Sequence, residues 1–171
     1  NLNSVEMPED PDAAVGSGKF ILINVDDQVR VGVDVNSLTT VDGSTRTEDM
    51  KYIETVEAMD MMRDDIAQAF RQDYMGKYRN STANQMLFLA AVNEYFRQLG
   101  EENVLDPEHD NTAQVDVESQ RNAWIGAGKP EAADWDDGRV IATPFKRQVF
   151  LAGDVKILGT MADLRFVVTL F

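Results

Sequence analysis

Val29-Arg30-Val31-Gly32-Val33-Asp34-Val35-Asn36-Ser37-Leu38-Thr39-Thr40 decides how this chain is read. Valines at 29, 31, 33 and 35 alternate with Arg30, Gly32 and Asp34, the period of two of a half-buried strand whose successive side chains face opposite ways. The polar residues 36–40 end that strand ahead of a long helix. Just upstream, Phe20, Ile21, Leu22, Ile23 and Val25 make an earlier strand, and Asp26-Asp27-Gln28 is the turn of a hairpin joining the two.

Downstream the period changes. Tyr52, Val56, Met59, Ile66 and Phe70 recur at helical spacing, Thr45 with Glu48 fits a capping box, and Gly76 is the stop signal. Thr82 with Gln85 repeats the capping signal before Met86, Leu89, Phe96 and Leu99, and Gly100 ends this second helix. Two capped helices with a short connection form an antiparallel pair. Asn103-Val104-Leu105-Asp106-Pro107 reads as a turn, with a short strand around Val115 and Val117 and a third helix over 119–128. Residues 129–138 read as loop, and 147–158 as strand interrupted at Ala152-Gly153. Residues 1–18, rich in Pro, Asp, Glu and Gly, read as a linker or N-terminal arm without a core. The remaining 19–171 form one α+β domain, with two long helices on one face of a mixed or antiparallel sheet.

Composition narrows the function. The 171 residues are 43% hydrophobic and 27% charged, which suits a globular domain with a real core. Thirty acidic against 16 basic residues give a formal charge of −14, a field that repels phosphates and anionic lipid. Nucleic acid and membrane are therefore poor partners. The absence of cysteine leaves no disulfide or thiolate metal site.

Catalytic and metal signals are weak. The one histidine, His109, lies in an acidic loop, where such a residue is ordinarily surface decoration. Asp106, Glu108 and Asp110 alternate as in a calcium loop, but Asn111 replaces the turn glycine and Val117 the bidentate glutamate. Gly16-Ser17-Gly18-Lys19 lacks the first glycine of a phosphate loop and precedes a strand instead of a helix. The adjacent carboxylates Asp64-Asp65 and Asp136-Asp137 read as solvated faces. The methionines of the first helix read as core filling. Trp124 and Trp135 suit either interface anchoring or packing over the helix pair. No catalytic residue, metal site or cofactor is expected.

The chain closes with an apolar strand over 163–171. Leu164, Phe166, Val168 and Leu170 line one face, and Arg165, Val167, Thr169 and Phe171 the other. Both faces are largely apolar, so this strand is either central in its own sheet or inserted into a partner.

In this order, "V-R-V-x-V-D-V-N-S-L-T-T", the helix leading to Tyr74-Met75-Gly76-Lys77, the turn at Asp106-Pro107, and "V-F-L-A-G-D-V-K-I-L" with "M-A-D-L-R-F" resemble the C-terminal domain of contractile phage tail sheath proteins. The likeness is to sheaths of phages and phage-like bacteriocins of Gram-positive hosts. It implies a structural polymer and not an enzyme: the inner, polymerising domain of a sheath that surrounds a tail tube and contracts to drive injection. It further implies neighbouring sheath subunits, tail tube and baseplate as partners, and a place in the virion tail. Such subunits are knitted by terminal arms that add a strand to a neighbour's sheet, which makes Leu164, Phe166, Val168, Leu170 and Phe171 the expected subunit interface. Glu48, Asp49, Glu54, Glu57, Asp60 and Asp64 offer an acidic helix surface to the tube, and Gly153 and Gly159 are expected as joints or as a bulge. Sheath subunits are much longer, so the resemblance implies a fragment or one part of a larger polypeptide. A tube or baseplate protein, or an acidic calcium- or metal-binding module, remain the alternatives.

Overall fold

The computed structural model describes residues 5–162 and 164–169. The chain divides into two compact units, Asn1–Met61 with Gly159–Phe171, and Met62–Leu158. It is α+β, with the strands in two separate antiparallel pairs.

In the first unit a short helix, α1 (Pro11–Gly16), interrupts the expected linker: Asp10 accepts from the Ala13 amide and Ala14 is buried. Gly18, at φ +74, closes the following turn, and a Cβ there would stand 2.9 Å from the Asn36 carbonyl oxygen. The glycines of Gly16-Ser17-Gly18 thus end a helix and cradle no anion. β1 (Leu22–Val25) and β2 (Gln28–Val31) form the expected hairpin. Its two-residue turn places Asp26 and Asp27 at φ 53 and 58, the left-handed pair whose twist matches the flanking strands. The strand read through Val35 stops at Val31, and Val35 instead makes a lone bridge to Tyr52.

The helix start also differs from the capping box. Asp42 accepts from the amides of Ser44, Thr45 and Arg46 and from the Thr45 hydroxyl. Thr45 is therefore bound into a loop, and these hydrogen bonds, led by that of Thr45, hold the Asp42 carboxyl far below its ordinary range. A single 3₁₀ turn, Glu48–Lys51, follows. α2 (Ile53–Ala69) starts where Asp34 accepts the Ile53 amide on its carbonyl and the Glu54 amide on its carboxylate.

In the second unit α2 ends in a π turn, Phe70–Tyr74, and Gly76 at φ +77 supplies the expected stop. α3 (Thr82–Glu101) is capped one residue earlier than read: Ser81, not Thr82, accepts the Asn84 amide. Its inner face is Phe88, Leu89, Val92, Phe96 and Leu99, whereas Met86 is exposed. Met62, Phe88, Val92, Phe96, Leu99 and Leu105 form the main core, with Ile66 and Phe70 against it. Each large side chain fully buried there stabilises the fold by about 1.5–3 kcal/mol.

β3 (Thr112–Val115) pairs with β4 (Leu151–Asp154), and Gly153 sits opposite Ala113. Asn93 of α3 grips Ala113 from both sides, accepting its amide at 2.6 Å and donating to its carbonyl at 3.4 Å. α4 (Val117–Gly126) is capped by Asp116. Residues 129–138, read as loop, contain a 3₁₀ turn at Pro130–Asp134 and the start of α5 (Asp137–Ile141). Such one- or two-turn elements leave too short a period to read. Ala132, Trp135 and Val140 make a second core with Trp124. The two tryptophans pack on each other at 6.2 Å between ring centroids, within this second core. Gln120, fully buried, donates to the Val140 carbonyl at 2.7 Å.

Candidate functional site

The expected interface lies at the end of the chain. Thr160 is fixed first: its amide donates to Glu54 Oε1 at 2.9 Å, and a Cβ on Gly159 would meet the same oxygen at 3.2 Å. Beyond it, residues 164–169 form neither helix nor strand. Leu164 is 92% exposed, Phe166 80%, Val167 70% and Val168 67%. Of the two settings open from sequence, residues 164–169 do not adopt that of a strand in their own sheet. Leu170 and Phe171 lie outside the described residues. Four large exposed apolar side chains within five residues are unusual, because water-exposed apolar area of that extent ordinarily marks a contact site.

Strand edges stand open in both units. β1–β2 and β3–β4 are two-stranded, so among the described residues each strand has one edge without a strand neighbour. β3–β4 is the better supported, since Gly153 lies against the Phe96 ring and Asn93 ties β3 to α3. A backbone edge held in this way is a ready template for another strand.

The remaining sequence candidates have local roles. Lys156 donates to Asp106 at 2.7 Å and, with the Glu108 amide, holds the Asp106 carboxyl below its usual range. The would-be calcium ligand is thus part of a turn. His109 stands 3.6 Å from Asp154 at the end of β4. On the acidic helix surface Glu48 pairs with Lys51 and Asp64 with Arg63, while Glu54 holds Thr160. Gly153 is a paired residue inside β4, in one-to-one register with Ala113, so it makes no bulge. The sequence reading missed Lys77, Arg79, Lys146 and Arg147, which line one groove from distant parts of the chain. Two basic runs in an acidic chain were the available signal.

The family model of the phage tail sheath C-terminal domain matches residues 45–165, well over half of the chain. This chain belongs to that family. A tail sheath protein of Clostridium phage phiCD119 is 25% identical over 153 residues, which cover 90% of this chain and 42% of that protein. The chain thus spans less than half the length of this relative. The crystal structure of a sheath tail protein from Desulfitobacterium hafniense is similar in fold, with a TM-score of 0.52 and 22% identity over 61% of this chain and 25% of that one. The family is one of structural tail proteins, not of enzymes. The helix ending in Tyr74-Met75-Gly76-Lys77 and the Asp106-Pro107 turn fall inside the matched region, and the 29–40 stretch outside it.

Proposed function

We propose that this chain is the polymerising domain of a contractile tail sheath, linked to its neighbours through residues 163–171. The observation that carries this reading is the exposed set Leu164, Phe166, Val167 and Val168 in a chain whose sheets have open edges among the described residues. In extended form Leu164, Phe166 and Val168 fall on one face, so one inserted strand buries all three in a neighbour's sheet. Their burial contributes about 5–9 kcal/mol at about 1.5–3 each. Four ladder hydrogen bonds add about 2–6 kcal/mol net. Docking costs roughly 4–15 kcal/mol of rigid-body freedom. One link is marginal, whereas many links in a lattice, each raising the effective concentration for the next, are not.

The work of such a lattice is mechanical. Subunits assemble in an extended arrangement around the tail tube, attached to the baseplate, and relax together into a wider and shorter one, with a bistable interface storing the energy. Release on firing requires weak contacts with the tube, and exposed acidic residues such as Glu57 on α2 suit this, since exposed ion pairs are worth about 0–1 kcal/mol and are screened by salt. Removal of 163–171 is the direct test: the chain should stay folded by circular dichroism and stop forming tubes under the electron microscope. Regular tubes from the shortened chain would end the strand-exchange reading.

A further inference from the structure

Of the 16 lysines and arginines in this acidic chain, four line a single groove of about 880 Å³ in the second unit: Lys77, Arg79, Lys146 and Arg147. No aspartate or glutamate lines it. Lys77 reaches Asp73 only at 4.0 Å, and Arg79 and Arg147 have no carboxylate partner among the described residues. Phe70, Tyr74 and Phe88 give the groove an aromatic wall, with ring centroids 4.7 and 5.4 Å from that of Phe88. The π turn Phe70–Tyr74 builds this wall, a local irregularity frequently found at functional sites.

Gln85 adds a second, independent sign. It lines the groove, is only 3% exposed, and its Oε1 has no hydrogen-bond partner, whereas its Nε2 donates to Asn80. A buried acceptor of this kind calls for an N–H donor. A ligand that brings carboxylates, an apolar side chain and a backbone N–H together is an acidic peptide segment.

We propose that this groove is the docking surface for residues 5–9 of a second copy of this chain. Val5-Glu6-Met7-Pro8-Glu9 carries two carboxylates around a thioether, a group that packs well on aromatic rings. It forms no helix or strand, Glu6 and Glu9 are exposed without a basic partner among the described residues, and Met7 is 43% exposed, held within its own chain by the Asn24 amide donating to its Sδ at 3.4 Å. Several other acidic residues are engaged: Asp106 by Lys156, Asp116 and Asp136 as helix caps, Asp137 by Arg121. Groove and segment are different surfaces of the same chain, so the contact is head-to-tail and can repeat without closing. This rests on the reading above in one respect, that copies of the chain meet.

A labelled peptide of residues 5–12, titrated with the chain at low salt and followed by anisotropy, tests the groove without requiring assembly. It should bind, and bind at least about tenfold more weakly to the R79E/R147E chain, whose thermal melt should match the parent. Equal binding to both, or equal binding of a scrambled peptide, would overturn the proposal. In the whole chain, mixing R79E/R147E with E6Q/E9Q leaves one intact groove and one intact segment, so a 1:1 species should appear in sedimentation that neither variant forms alone. Its absence would show that the segment does not bridge copies. Peptide binding should survive removal of 163–171; a chain that binds the peptide yet never forms tubes would refute the sheath reading and retain the groove.

Discussion

Replacing Asn80 by alanine should loosen one side of the basic groove and destabilise the second unit. Asn80 Nδ2 donates to the carbonyls of Phe145, Lys146 and Gln148 at 3.3, 3.3 and 3.0 Å, and its Oδ1 accepts from Gln85 Nε2 at 2.8 Å. One amide thereby fixes the loop that carries Lys146, itself at φ +44, and accepts from Nε2 of the buried Gln85. Losing the 3.0 Å bond costs about 0.5–1.5 kcal/mol, and leaving the Gln85 donor unpaired costs about 1–3 more. The two longer bonds add little, so the total is about 1.5–4.5 kcal/mol. Urea unfolding followed by tryptophan fluorescence reads this unit specifically, because Trp124 and Trp135 both lie within it. N80D separates the parts, since it keeps an acceptor for Gln85 and loses the three carbonyl bonds. A loss below about 0.5 kcal/mol in N80A would refute the assignment of Asn80 as the loop's anchor.

Asp116→Ala removes the α4 cap that binds the Ser119 amide, and should lower stability by about 0.5–2 kcal/mol in the same urea assay, with Asp116→Asn retaining most of it. Acid should weaken the fold in a defined window. Glu94 is held down from 4.5 to about 2, chiefly by its hydrogen bond from Arg97, and Lys156 and Ser119 lower Asp106 and Asp116. These depressed carboxyls contribute above their unfolded pKa, and the contribution fades as pH falls through the folded values, so a melt should drop between about pH 4.5 and 2 and be flat above it. Val168→Pro deletes one ladder donor, and should leave the melt unchanged while reducing tube yield, because Val168 is exposed in the single chain.

What could be read from sequence follows the strength of each local signal. α3 was legible because Leu89, Phe96 and Leu99 share one face and Thr82–Glu101 is long enough to show the period, and the hairpin because two aspartates between apolar runs favour left-handed backbone. Cap positions slipped where several oxygens compete: Ser81 precedes Thr82, and Asp42 takes the amides near Thr45. The 29–35 pattern misled over its last residues because the hairpin ends at Val31 and Val35 bridges Tyr52 instead. Leu164 to Val168 read as a strand from their alternating apolar side chains, whereas residues 164–169 are neither helix nor strand in the single chain, and no sequence pattern says whose sheet would pair them. The groove escaped because Lys77 and Arg79 meet Lys146 and Arg147 only through tertiary folding.

Tube formation by the full-length protein with and without residues 163–171 tests the central claim most directly. With the segment present, electron micrographs should show wide, striated, hollow tubes. Without it, the protein should keep its circular dichroism spectrum and melt but remain dispersed. Regular tubes from the shortened protein would contradict strand exchange, and a shortened protein that fails to fold would place the segment in the core of its own subunit.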